Sequence, residues 1–330
     1  MNWKGVKVAV TGAGGFIGSH LVEELACRGA SVRAMFRYNS KNDWGRLEEI
    51  PAELQKNIQP FAGDVTDSHL MQKLAQGQEV VFHLASLIAI PYSYVAPASY
   101  VNTNVCGSLN ILEACLKNKV KRVVHTSTSE VYGTALYVPI DEEHPLRGQS
   151  PYSASKIAAD KLAESFYRSF DLPVVILRPF NTYGPRQSAR AVIPTIVSQA
   201  LSANGEISLG DLRPVRDFTY VRDTVEGFLK AAESSRAVGE VVQVGTGTGV
   251  TVGQVAEKIL RLAGRDIRIR KDSQRIRPSK SEVFRLICSA KKARKLLGWS
   301  PRYDLDKGLG ETVRYVRQNL GRYKPRIYNL

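Results

Sequence analysis

The sequence predicts an α/β fold: a doubly wound parallel sheet with a smaller C-terminal lobe. Three observations carry that prediction. Short apolar runs alternate with longer stretches of helical spacing through the first half of the chain. Strands that alternate with helices must cross over the sheet, which leaves it parallel and covered on both faces. A glycine-rich turn separates the first apolar run from the first helical stretch, and beyond Pro179 the clean alternation gives way to Gly- and Pro-rich segments such as "NTYGPRQ" and "SLGDLRPVRDF".

In chain order, "VKVAVTG" is the first strand, and "FIGSHLVEELACRG" has the apolar spacing of a helix that stops at Gly29. "SVRAMFR" gives a second strand. "NIQPFAGD" closes a third on Asp64, ahead of a helical "DSHLMQKLAQG". "EVVFHLAS" comes next, then a long helical stretch over 98–119, the strand "KRVVHTS", a helix over 154–170 and the strand "PVVILRP". "EVVQVGTG" reads as a strand that returns to the main sheet near 240–245. The expected division is therefore interleaved: 1–180 carries the sheet and the catalytic candidates, and 181–330 is mainly a substrate-binding lobe.

Composition narrows the function. The 330 residues include 46 Lys and Arg against 31 Asp and Glu, a formal net charge of +15. These cations are dispersed rather than packed in one block, so a basic surface serving an anionic small molecule accounts for them better than nucleic-acid binding does. No apolar run approaches the roughly 20 residues that span a bilayer. The chain passes from "MNWKG" straight into a strand without a leader pattern, so no membrane partner and a cytoplasmic place are expected. Cys27, Cys106, Cys115 and Cys288 show no CxxC spacing and no His at ligand distance, which predicts buried free thiols and no metal.

"TGAGGFIG", Thr11 to Gly18, joins the first strand to the first helix. Glycines there allow a tight turn and close approach to a pyrophosphate, and the helix N-terminus offers unpaired N–H donors. Placed at the start of a βαβ pattern, the string predicts a Rossmann-type dinucleotide site. Its spacing is GxxGxxG, on Gly12, Gly15 and Gly18. The second strand ends at "MFRYNS", with Arg37 where an acid would hold an adenosine ribose. Two readings stand: Arg37 receives a 2′-phosphate, which favours NADP over NAD, or it is a surface charge and Asn39 or Ser40 holds the ribose.

"SPYSASKIAADKLAE" sets Tyr152 and Lys156 four apart, on one helical face. A phenol near its ordinary pKa of about 10 is a poor base at neutral pH, and a neighbouring ammonium lowers that value. Taken alone, the spacing also suits a plain amphipathic helix. "TSTSEVYG", Thr126 to Gly133, puts hydroxyls and the carboxylate of Glu130 at a strand end.

Together these motifs, with "GDVTD", "HLAS", "VNTNVCGSLNILEA", "RPFNTYGPR" and "RDFTYVRD" in this order, resemble an extended short-chain dehydrogenase/reductase acting on nucleotide sugars. The resemblance runs nearly the whole chain, to "LGWSPRYDLDKGL". It implies that Gly12, Gly15, Phe16, Ile17 and Gly18 hold the cofactor pyrophosphate. Asp64 and Val65 would bracket the adenine, Leu84, Ala85 and Ser86 would line the pyrophosphate and ribose path, and Asn104, counted among the cofactor contacts, would support the site. Thr128, Tyr152 and Lys156 match the hydroxyl–tyrosine–lysine set. Asn181, Val192 and Arg216 match substrate positions, Arg277 in "IRPSKSE" joins them, and Arg186 and Arg190 either help or are solvated charges. The resemblance also implies a homodimer, through the helices over 98–119 and 154–170.

The reaction turns on Thr128, Ser129 and Glu130. A 4-epimerase of this family needs only the tyrosine, whereas a 4,6-dehydratase also needs a carboxylate to take the proton on carbon 5 and a group to protonate the leaving hydroxyl. The Thr–Ser–Glu triplet is similar to that of GDP-mannose-type 4,6-dehydratases. "RYNSKNDWGRLEEI" and "RPFNTYGPRQSARAVIPTI" look like the dehydratase group of the legionaminic acid pathway, which acts on nucleotide-linked N-acetylglucosamine. The expectation is a 4,6-dehydratase of GDP- or UDP-N-acetylglucosamine or a related nucleotide hexose, serving polysaccharide or sialic-acid-like sugar synthesis. A 4-epimerase is the alternative and a UDP-glucuronate decarboxylase, which also shows "TSEVYG", comes after it.

Overall fold

The strands, in a computed structural model that describes residues 1–203, 205–325 and 327, are β1 (Lys7–Thr11), β2 (Ser31–Phe36), β3 (Ile58–Ala62), β4 (Val80–His83), β5 (Arg122–Thr126), β6 (Val174–Pro179), β7 (Asn181–Tyr183), β8 (Glu206–Leu209), β9 (Val215–Arg216), β10 (Phe218–Tyr220), β11 (Val241–Val244), β12 (Val250–Thr251), β13 (Arg268–Lys271) and β14 (Arg285–Leu286). Seven of them form one sheet in the order β11-β6-β5-β4-β1-β2-β3. Every pairing in it is parallel, so the α/β fold read from the alternation is the one observed.

The helices are α1 (Phe16–Cys27), α2 (Ala52–Gln55), α3 (Ser68–Ala75), α4 (Ile90–Val95), α5 (Pro97–Tyr100), α6 (Gly107–Lys117), α7 (Pro151–Phe170), α8 (Val192–Ser202), α9 (Val221–Glu233), α10 (Val252–Ala263), α11 (Lys291–Leu297) and α12 (Leu305–Gln318). Side chains alternate across a strand, and the core divides accordingly. Val8, Val10, Phe82 and Val124 pack with Leu21 and Leu25 of α1 and Phe228 and Leu229 of α9. Ala9, Val81 and Val123 pack on the other face with Met71 and Leu74 of α3, Ile111 of α6 and Phe166 of α7. Burial on both faces explains why these strands read as continuous apolar runs.

The sheet changes winding direction between β1 and β4, and the loops that leave their carboxyl ends meet there. Thr11 Oγ1 accepts from Leu84 N at 3.0 Å and Ala85 N at 3.1 Å, tying the two loops together. Such a switch point leaves a crevice for a ligand. Beyond β6 the chain builds smaller sheets, with β7 beside β10, β9 between β12 and β14, and β8 beside β13.

Two details differ from the sequence reading. The stretch over 98–119 is not one regular helix: a π-helical turn over Val101–Cys106 separates α5 from α6. Of the four thiols, all free, Cys115 and Cys288 are buried but Cys27 and Cys106 are exposed. Cys27 ends α1, past the last turn that packs on the sheet, and Cys106 lies in the π turn whose buried residue is Asn104.

Candidate active site

One cleft of about 960 Å³ opens at the switch point and reaches from the glycine turn into the C-terminal lobe. Gly12 has φ +68°, and a Cβ on it would stand 2.8 Å from Ala85 N; one on Gly18 would stand 2.2 Å from Gly12 O. Only hydrogen is tolerated, so β1, α1 and the loop after β4 close up tightly. Gly15 begins α1 without a side-chain cap, and Phe16, Ile17 and Gly18 line the cleft, which leaves first-turn N–H donors for an anion. Gly45, at φ +70°, presses on this turn: its Cβ would lie 2.5 Å from Gly14 O, and Arg46 N donates to that carbonyl at 2.9 Å. That contact sets "NDWG" against the turn, with the Trp44 ring 5.9 Å from Phe36 and tilted by 33° to it.

Where the cleft meets the end of β2, Arg37 Nε lies 3.5 Å from Asp64 Oδ2, and the arginine side chain is 80% exposed at the cleft rim. Val65 lies on the wall with Leu84, Ala85 and Ser86. Asn39 is on the wall as well, but its amide is occupied within its own loop, by Asp43 O at 2.6 Å and by Lys41 N and Asp43 N; Ser40 is not on the wall. Asp43, which the sequence reading passed over, lines the same end.

Asn104 departs from its expected place among cofactor contacts. It is buried off the cleft wall, its amide engaged by Ser86 Oγ at 2.9 Å, Leu87 N at 2.8 Å, Leu87 O and Ser155 Oγ. The π turn brings it inside, where it braces the loop after β4 against α7.

Helix α7 starts at Pro151 with Ser150 and Ser153 in a reciprocal capping box, which puts Tyr152 in the first turn at the cleft. Its ring meets Tyr100 edge-on at 6.2 Å beside Ile90. Burial lifts the phenol pKa well above its ordinary value; the Thr128 hydroxyl beside it pulls the other way, and the charges of Glu130 and Asp160 add to the rise. Lys156 Nζ donates to Thr126 O at 2.6 Å, and burial brings its pKa down to about 8. Thr128 caps the short 3-10 turn Ser129–Tyr132 through Glu130 N at 3.2 Å, so Ser129 and Glu130 share the wall with Tyr152.

Under these residues lies a buried charged layer that the sequence reading missed. Asp160 accepts from Ser127 Oγ at 2.6 Å and from Arg178 Nε and Nη2 at 3.2 and 3.0 Å. His125 Nε2 is 3.4 Å from Asp160 Oδ1, close but not aligned as a hydrogen bond. Burial opposes ionisation of Asp160, yet His125, Arg178 and Lys156 hold its carboxyl down at about 2. Asp160 sits four residues past Lys156, so the helical spacing contained the signal.

At the far end, Arg216 Nη2 is 3.2 Å and Arg277 Nη1 3.8 Å from Glu282 Oε1, all three on the wall with Asn181, Arg190 and Val192. The Asn181 Oδ1 atom has no protein partner. Glu282, the last residue of "IRPSKSE", was given no role in the sequence reading. Arg186 belongs elsewhere: its Nη1 pairs with Glu23 at 2.6 Å and its Nε with Glu49 at 3.7 Å, so it is neither on the wall nor solvated.

The family model described as GDP-mannose 4,6 dehydratase matches residues 9–312. The chain is 32% identical to a dTDP-glucose 4,6-dehydratase of an Actinoplanes species, over 95% of this chain and 98% of that one. It is also 32% identical to a UDP-glucose 4-epimerase of Mycolicibacterium smegmatis, over 94% and 99%. A solved dTDP-glucose 4,6-dehydratase of Streptomyces venezuelae, with NAD bound, superposes at a TM-score of 0.86 with 28% identity, covering 96% of this chain and 99% of that one.

Proposed function

We propose, from the premise that the chain belongs to the GDP-mannose 4,6 dehydratase family, that it removes water across carbons 5 and 6 of a nucleoside-diphosphate hexose. The observation that carries this reading is the Glu130 carboxylate, held on the cleft wall beside Thr128 and near enough to Tyr152 and Arg216 to shift the pKa of both.

The glycine cradle, the uncapped start of α1 and the open wall along Leu84–Ser86 suit a dinucleotide, which Gly12, Gly15, Phe16, Ile17, Gly18, Asp64 and Val65 would hold. When bound, its nicotinamide supplies hydride acceptance and return. Arg37, exposed at the rim, favours NADP; Asp43 on the same wall and the NAD in the Streptomyces venezuelae relative favour NAD. Mass spectrometry of the nucleotide that copurifies decides between them.

Tyr152 takes the proton of the carbon-4 hydroxyl, with Thr128 aligning that hydroxyl and Lys156 stabilising the phenolate. The carbon-4 ketone acidifies the hydrogen on carbon 5. Glu130 removes that proton and returns it to the hydroxyl that leaves carbon 6, so one carboxylate serves as base and then acid where Ser129 replaces a second acid. Arg216 and Arg277 exchange Glu282 for the substrate diphosphate, with Asn181, Arg190 and Val192 around it. In this scheme 1–180 supplies the chemistry and 181–330 most of the substrate grip. Tyr167 and Phe170, exposed on α7, suit the homodimer contact.

The test is incubation with GDP- and UDP-linked N-acetylglucosamine and mass spectrometry of the product. Loss of one water supports the dehydratase. An isomer of unchanged mass would support the 4-epimerase, which the Mycolicibacterium smegmatis relative favours. Release of carbon dioxide from UDP-glucuronate would mark a decarboxylase.

A further inference from the structure

We infer that Asp160 is a positioning residue of the carbon-4 oxidation: it fixes the strand end that carries Thr128, and the Thr126 carbonyl that receives Lys156, against the helix that carries Tyr152. The inference rests on the Tyr152–Lys156 half of the proposed function and not on whether elimination follows.

Asp160 extends the Tyr152–Lys156 face of α7 by one further turn. From there it reaches β5 and β6 together. Ser127 donates to it from the end of β5 at 2.6 Å, one residue from both the Thr126 carbonyl that accepts Lys156 and the Thr128 hydroxyl. Arg178 of β6 donates to it twice, and through Nη1 donates to the Tyr132 hydroxyl at 3.0 Å. The turn that bears Thr128, Ser129 and Glu130 is thus held at its entry by Asp160 and at its exit by the arginine Asp160 anchors. Tyr132 in turn donates to Gln243 of β11 at 2.9 Å, which fixes the exit on the sheet as well.

The charged and titratable groups around the site define what this carboxylate does electrically. Lys156 and Tyr152 stand above it on α7, His125 beside it on β5, and Arg178 beside it on β6. His83 on β4 lies 5.6 Å from His125 with its ring tilted by 36°, while Tyr100 and Glu130 face Tyr152. Asp160 is the one group whose charge offsets the burial of Lys156 among those that act on it, and the same charge raises Tyr152. Removing it moves both groups in the same direction, towards lower pKa.

The test compares the wild-type holoenzyme with Asp160→Asn. Reduction of the bound nicotinamide is followed against pH with UDP-glucose and with dTDP-glucose as probes. Both limbs of the bell-shaped profile should move to lower pH, by about one unit each. A lower profile with unmoved limbs would reduce Asp160 to a structural role and overturn the inference. Titration of isotope-labelled Lys156 by NMR in the cofactor-free protein gives a second readout that needs no substrate: its midpoint should fall below the wild-type value near 8, and an unchanged midpoint overturns the inference even if neither sugar turns over. Where Asp160→Asn does not fold, the double variant Asp160→Asn with Arg178→Met removes both charges of the buried pair, a replacement that buried pairs commonly tolerate. Lys156 draws no shift from Arg178, so its midpoint in the double variant should show the same displacement, and its absence is equally decisive.

Discussion

Glu130→Gln separates the two halves of the proposed reaction. The substitution keeps the shape of the side chain and the Thr128 cap, because that cap is made by the Glu130 backbone N–H. What it removes is one proton acceptor and one negative charge. General-base groups contribute about 10²–10⁴ in rate, or roughly 3–5 kcal/mol, and water loss should fall by that factor. The carbon-4 oxidation should survive, because the Glu130 charge raises the Tyr152 phenol and its loss makes the phenolate easier to form. Three measurements in one experiment separate these effects: mass spectrometry for the dehydrated sugar, deuterium uptake at carbon 5 from heavy water, and the absorbance of the nicotinamide. Absorbance of the reduced nicotinamide should build up and persist while both of the others vanish. Water loss within about threefold of wild type would refute the reasoning, since no other carboxylate shares the turn with Thr128.

Other consequences are equally open to measurement. Gly18→Ala puts a methyl 2.2 Å from a backbone oxygen, an overpacking that should cost about 1–3 kcal/mol in denaturant unfolding and weaken dinucleotide binding by calorimetry. Arg216→Gln takes a buried guanidinium from the end of the cleft proposed for the diphosphate; the affinity for free UDP or GDP should fall about 10- to 100-fold and its salt dependence should flatten. Lys156, with a folded pKa of about 8 against 10.5 unfolded, releases its proton earlier in the folded chain. Between those values the unfolded state binds more protons, so stability rises with pH there, by about 3 kcal/mol at most. Lys156→Met should remove that slope from urea melts of the cofactor-free protein relative to wild type.

Much of the site was legible because its chemistry is written in short spacings. A glycine string between a strand and a helix, and a tyrosine and a lysine four apart, each describe a local geometry that the backbone enforces by itself. The exceptions are instructive. Arg186 and Arg216 look alike in sequence, an arginine beside a turn, yet one is consumed by Glu23 and Glu49 and the other lines the cleft. Asn104 was assigned to the cofactor, and a π turn turned it into a brace. The Cys27 and Cys106 thiols were expected inside for want of any metal-ligand spacing, and their places, at the end of α1 and in the π turn, put them outside.

The sequence by itself determined the parallel α/β sheet, the glycine cradle and the Tyr152–Lys156 pair, because periodicity and short-range sterics act within a few residues of the chain. Only the tertiary structure decided that Glu282 stands between Arg216 and Arg277, and that Asp160 binds Ser127 and Arg178 beneath the Tyr152–Lys156 face. These contacts join β5, β6 and α7 in one case and the ends of a long C-terminal excursion in the other. Which charges neutralise one another in a desolvated interior depends on which strands lie side by side, and no local pattern encodes that order.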